Sequence, residues 1–77
     1  MHHTIKRDFR PEFGGPVEEV YVGDRRVGMV YRDPTPPAER TEQWMAYYRG
    51  GRGVDSREAG IRVILDHAAD NPGFVLR

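Results

Sequence analysis

Cysteine is absent from the 77 residues, which excludes disulfide staples, thiolate zinc sites, cysteine-ligated iron–sulfur clusters and a cysteine nucleophile. Long apolar runs are missing too. Nothing approaches the length of a membrane span, and Met1–Asp8 is not followed by the about 7–15 apolar residues a secretory leader needs. No membrane association and a cytoplasmic setting are therefore expected. An excess of one charge is also lacking, since twelve Lys and Arg balance twelve Asp and Glu. The balance is local as well. Residues 1–30 carry five of each sign, residues 31–57 five positive and four negative, and residues 58–77 two and three. No basic run marks a nucleic-acid footprint, so such a surface has to be assembled by the fold. Lysine is nearly missing, with one against eleven arginines. The planar guanidinium fork suits carboxylates, phosphates and aromatic faces, although a GC-rich genome produces the same bias.

What is present reads as one small globular domain spanning residues 1–77. The chain is 38% hydrophobic and 31% charged, too apolar for a disordered segment. At this size only about 60–65% of the unfolded surface can be buried, so the core is small. Residues 1–16 read as an irregular arm, because Pro11 and Gly14-Gly15-Pro16 break regular structure. Ile5, Phe9 and Phe13 recur every four residues, and burial of Phe9 or Phe13 over the main core is expected.

A hairpin follows from about residue 17 to 32. Val20 and Val22 alternate with Glu19 and Tyr21, and Val27, Met29 and Tyr31 alternate with Gly28, Val30 and Arg32. Gly23-Asp24-Arg25 supplies the turn, and Pro34 ends the second strand. Residues 33–41, DPTPPAERT, form a stiff proline-rich loop. For residues 36–49 two readings stand. Trp44, Ala46 and Tyr48 alternate with Met45, Tyr47 and Arg49 as in a third strand, which a marginal hairpin needs as a companion. Alternatively, Thr35 caps a helix that begins at Pro36 and stops at Gly50-Gly51. Residues 50–54 read as a flexible loop.

The strongest pattern is the last one. Asp55 as N-cap and Glu58 three residues on resemble a capping box, and Ile61, Ile64, Leu65 and Ala68 form a helical stripe. Glu58, Arg62 and Asp66 are spaced four apart for ion pairs on the wet side. Gly60 suggests close approach of the helix to the sheet. Asn71-Pro72-Gly73 ends the helix, and Phe74-Val75-Leu76 is an ordered tail that adds a strand or packs on the core. The fold class is α+β: an antiparallel sheet of about three strands against one C-terminal helix.

Chemistry is thin. Asp66 and Asp70 share a helix face but have no enclosed cleft for acid–base work. His67 lies beside the apolar stripe, where a hydrogen-bonded boundary histidine near a helix end is expected rather than a general base. Gly50, Gly51 and Gly53 precede a helix, but Val54-Asp55-Ser56 replaces the lysine and hydroxyl residue of a phosphate loop, and Asp55 repels an anion there. His2 and His3, native or left from a tag, sit on a terminus with no fixed geometry for a metal. No catalytic residue, cofactor or metal is expected.

The best surface candidate combines Tyr47, Tyr48, Arg49, Arg52 and Arg57 around Trp44. Trp44 is expected in the core. Tyr47 and Tyr48 cannot both face inward from a strand, so one ring is expected to be exposed as an interface anchor, with the arginines around it. For nucleic acid, the candidate contacts are Arg25 and Arg26 in the hairpin turn with Arg32 and Arg49 on strands.

The segments VYVGDRRVGMVYRD, WMAYYRGG and DSREAGIRVILDHA resemble, in order and pattern over residues 17–70, the three-stranded-sheet-plus-helix modules of phage integrase arm-type and plant ethylene-response DNA-binding domains. In those families the sheet enters the major groove and the helix packs behind it. The chain departs from them by placing Glu18 and Glu19 in the first strand and by inserting DPTPPAERTEQ before the third. Its short, arginine-rich style also resembles small accessory proteins of actinobacteria and their phages. The expected function is a non-enzymatic protein-interaction or regulatory accessory protein, acting on a protein partner or by self-association as a dimer. The alternative is DNA binding through the sheet face.

Overall fold

In the computed structural model, which describes residues 2–33, 38 and 43–77, the chain forms an antiparallel sheet packed against one C-terminal helix. The strands are β1 (Thr4–Arg10), β2 (Gly15–Val22), β3 (Arg25–Arg32), β4 (Trp44–Tyr47) and β5 (Gly51–Val54), and the helix is α1 (Arg57–Asp70). Strand order in the sheet follows chain order, each strand pairing with the next. The architecture is the expected α+β class, but among the described residues the sheet has five strands rather than about three. β2, β3 and β4 are the three expected; one further strand flanks them on each side.

The first addition corrects the expectation of an irregular arm over residues 1–16. Residues 4–10 pair with β2 from Thr4↔Tyr21 to Arg10↔Gly15, and the chain reverses through a short 3-10 turn at Pro11–Phe13. Charged side chains on both faces of this edge strand erase the alternation that marks a half-buried strand, while they also discourage pairing with another chain. Phe9 stands 66% exposed. Phe13 is the aromatic that packs, and it does so on the face away from α1. The second addition, β5, replaces the flexible loop expected at residues 50–54; Trp44↔Val54 through Tyr47↔Gly51 pair it to β4.

Residues 44–47 are a strand, so the helix alternative fails there. Of the residues before them, 34–37 and 39–42 lie outside the described residues, and with them most of the proline-rich loop expected at 33–41. The hairpin β2–β3 forms where expected, with one irregularity. Val20 pairs with Gly28 and Tyr21 with Arg26, so Val27 is an extra residue, a β-bulge. The bulge shifts the phase of β3. Val27 therefore joins the helix-side core with Val20 and Val30, while Met29 belongs to the opposite face, although a regular strand would have put Val27 and Met29 together.

Helix α1 is capped by Ser56, whose Oγ accepts from the Ala59 N–H at 3.0 Å. The expected cap, Asp55, lies one residue outside. Glu58 meets Arg57 rather than closing a capping box, and neither expected wet-side pair involving Arg62 forms among the described residues. The helix buries Gly60, Ile64 and Ala68, with Ile61, Val63 and Leu65 packed at the margins. Two glycines set the helix–sheet distance. A Cβ on Gly28 would lie 2.6 Å from Ile64 Cγ2, and one on Gly60 would lie 2.9 Å from Val30 Cγ1. Ile64, 0% exposed, fills the space that Gly28 leaves.

Among the described residues, the other face of the sheet is covered by the β1–β2 turn and the C-terminal segment. Val17, Met29 and Leu76 form a second buried cluster, edged by Phe13, Tyr31, Tyr47 and Phe74. The tail is held as an ordered segment, as expected. Leu76 N–H donates to Arg26 O at 2.8 Å, and Arg25 Nη1 donates to Asn71 O at 3.3 Å and Phe74 O at 3.0 Å.

Candidate functional site

The five residues expected to form one interaction surface are distributed over three places. Tyr47 lies on the far face, its ring edge-on to Phe13 at 5.0 Å. Tyr48, Arg49 and Arg52 gather at the C-terminal end of α1, around His67. The Tyr48 and His67 rings are 4.7 Å apart, Arg49 Nε donates to His67 Nε2 at 2.9 Å, and the Arg49 guanidinium lies 4.8 Å over Phe74. Arg52 Nη1 reaches the Tyr48 hydroxyl at 3.5 Å, the weakest of these contacts. His67 is thus the hydrogen-bonded boundary residue expected near the helix end. Arg57 is at the opposite end of the helix.

The four candidate nucleic-acid contacts do not share a face either. Arg25 holds the backbone of Asn71 and Phe74. Arg26 Nη1 donates to Glu19 Oε2 at 2.7 Å, and its Nη2 to Leu76 O at 3.2 Å. Glu19 is 6% exposed and is also met by Arg10 Nη2 at 2.9 Å. Burial pushes the Glu19 carboxyl up, but hydrogen bonds and charge from Arg10 and Arg26 outweigh it and hold the carboxyl below its ordinary range. The bond to Glu19 in turn raises Arg10. This Arg10–Glu19–Arg26 group, together with Phe13 and the tail, occupies the sheet face that a DNA-reading module of the resembled kind would present. Arg49 is engaged with His67 and Phe74. Arg32 is exposed, with Gln43 Oε1 at 2.9 Å as its hydrogen-bond partner.

Arg32 and Arg57 meet instead in a groove that the sequence did not single out. It lies on the helix side of the sheet, at the end where α1 begins and leaves the strands uncovered. Strand register builds it. Arg7 sits opposite Glu18, Glu18 opposite Val30, and Arg32 opposite Trp44, so β1 to β4 each place a side chain along it. The groove has a volume of about 440 Å³ and is lined by Pro16, Val17, Val30, Tyr31 and Trp44 between Arg7, Asp8, Glu18, Arg32 and Arg57. Trp44, expected in the core, is half-buried: its ring packs at the edge of the helix-side cluster and also faces this groove.

Charge in the groove is unevenly satisfied. Arg57 grips Glu18 with two nitrogens, Nη2 standing 3.2 Å from Oε1 and Nε closer still to Oε2, and this contact raises the Arg57 pKa. Asp8 is turned to the Phe9 N–H at 2.8 Å and to Arg10 at 3.6 Å. Arg7 is left with a loose approach to Glu18, 3.9 Å, from a side chain 89% exposed. A second hollow, about 470 Å³ between Arg49, Asn71, Phe74 and Arg77, lacks an aliphatic floor of comparable extent. Trp44 and Arg32 were visible in the sequence as residue types, and Glu18 as an acidic residue of the first strand, whereas Arg7 carried no signal, because only the β1–β2 register puts it beside the others.

No family model, no curated protein and no solved structure matches this chain. Among the described residues, no helix is long and apolar enough to cross a membrane.

Proposed function

We propose that this protein is a non-enzymatic, cytoplasmic interaction module that binds a protein partner in the groove between the N-terminal end of α1 and strands β1–β4. The single observation carrying the proposal is that groove: an apolar lining at Pro16 and Trp44, open to solvent above the buried Val30, with the guanidinium groups of Arg7 and Arg32 at its margins. Aromatic and arginine side chains around an apolar centre are the residue types that dominate interface energetics. DNA binding through the sheet face has less support, because Arg25 and Arg26 are spent on the C-terminal tail and the far face is covered.

A photo-crosslinking residue placed at Gln43, beside Arg32, tests the reading in cells of the source organism, with the same residue at Asp66 on the exposed side of α1 as control. The expected result is a protein adduct at Gln43 that is lost when Arg7 and Arg32 are both changed to Glu. A nucleic-acid adduct, dissociating steeply with added salt, or an adduct pattern indifferent to the two arginines would overturn it.

A further inference from the structure

Resting on the proposed protein-binding role of this groove, we infer that its partner is an acidic segment carrying an apolar side chain: the apolar group lies on Pro16 and Trp44, and carboxylates meet Arg7 and Arg32. The argument is one of charge left over. Three guanidinium groups and two carboxylates line the groove, an excess of one positive charge. Local pairing enlarges the effective excess. Glu18 is saturated by the two-nitrogen grip of Arg57, and Asp8 is drawn toward Arg10 and the Phe9 amide. Among the described residues, Arg7 therefore keeps only its loose 3.9 Å approach to an already occupied carboxylate, and Arg32 bonds a neutral amide oxygen. An arginine fork donates two parallel hydrogen bonds to a carboxylate, so each suits an anionic side chain.

The floor selects the rest of the ligand. Trp44 lies beside Arg32 on β4, and Pro16 lies on β2, the strand between Arg7 and Arg32; over the buried Val30 they offer an apolar surface for an aliphatic or aromatic side chain within about 440 Å³. A polyphosphate backbone fits less well. Glu18 and Asp8 sit in the same groove and repel a continuous line of phosphates, whereas a peptide can place carboxylates only where the arginines are.

Solution NMR titration of the whole chain with three probes decides the matter. They are a short glutamate-rich peptide with two leucines, the same peptide with lysine for glutamate, and a short thymidine single strand. The acidic peptide is expected to shift the Trp44 indole N–H and the Val30 and Arg32 amides, and Arg7→Glu with Arg32→Glu is expected to weaken it by about tenfold or more. Arg7→Lys with Arg32→Lys, which keeps the charge and loses the fork, is expected to fall between. If the lysine peptide shifts the same groove resonances as strongly, the acidic assignment fails while a protein-binding groove stands. If only the thymidine strand shifts them, both fail. Absence of any groove shift with the acidic peptide also overturns the inference.

Discussion

The two faces of this sheet are buried by different means. On the side of α1, seven residues from Val20 to Ala68 form an aliphatic cluster closed by a helix, and nothing in it titrates. On the other side, three buried residues share their cover with aromatic rings, a C-terminal tail and the Arg10–Glu19–Arg26 group. The first face draws its stability from apolar area removed from water, a contribution indifferent to pH and weakly affected by salt. The second depends on a carboxylate that must stay ionised between two guanidinium groups. A small domain can therefore bury both sides of a sheet that a helix covers on one side, provided charged groups complete the side that the helix does not reach.

The difference is most directly broken by Ile64→Ala, which empties the centre of the helix side. Loss of about 2–5 kcal/mol is expected, a large share of the about 4–12 kcal/mol available to a chain of this size. Urea denaturation should show it equally at pH 7 and pH 4. Glu19→Gln tests the other face, with an expected loss of about 2–3 kcal/mol at pH 7, because two arginines lose their shared anion. Here pH matters. The Glu19 carboxyl is held low in the folded chain, so its contribution is complete above its unfolded value near about 4.3 and disappears as pH falls through the folded one. The parent should therefore lose stability on acidification below about pH 4, and the variant should lose less.

Gly28→Ala sharpens the comparison. The new methyl would enter the space of three Ile64 carbons within 2.8 Å, and about 1–3 kcal/mol of destabilisation is expected from overpacking. Combining it with Ile64→Val, which withdraws one of those carbons, should recover part of the loss in thermal melts. The smallest effect belongs to Ser56→Ala, about 1 kcal/mol for the lost cap, or about 4–8 °C in midpoint for a domain of this length. Asp55→Ala should cost clearly less, since Ser56 rather than Asp55 bonds the Ala59 amide.

How far the sequence could be read follows from the same contrast. The hairpin and the helix were legible because their valines and isoleucines recur with periods of two and about 3.6. β1 was hidden by Lys6, Arg7, Asp8 and Arg10, whose charges fall on both faces of an edge strand. β5 was hidden because Gly51-Arg52-Gly53 offers almost no side chains to alternate. The phase of Val27 depends on a bulge, and the choice between Asp55 and Ser56 as cap turns on a single residue between two good capping types. The groove was the least legible feature. Trp44 and Arg57 were expected in one patch and Arg32 in another, but Arg7 and Glu18 join them only through pairing across the strands, a relation that no local pattern encodes.

The chain-order meander has a consequence for synthesis. β1, β2 and β3 pair with immediate neighbours, so all three can be in register while residues beyond about 45 are still being added. The valines of that nascent ribbon have no shelter until residues 57–70 arrive, leaving an adhesive surface during translation. Any delay between the codons for β4 and those for α1 prolongs that exposure, which makes the interval, rather than the finished protein, the moment most vulnerable to aggregation.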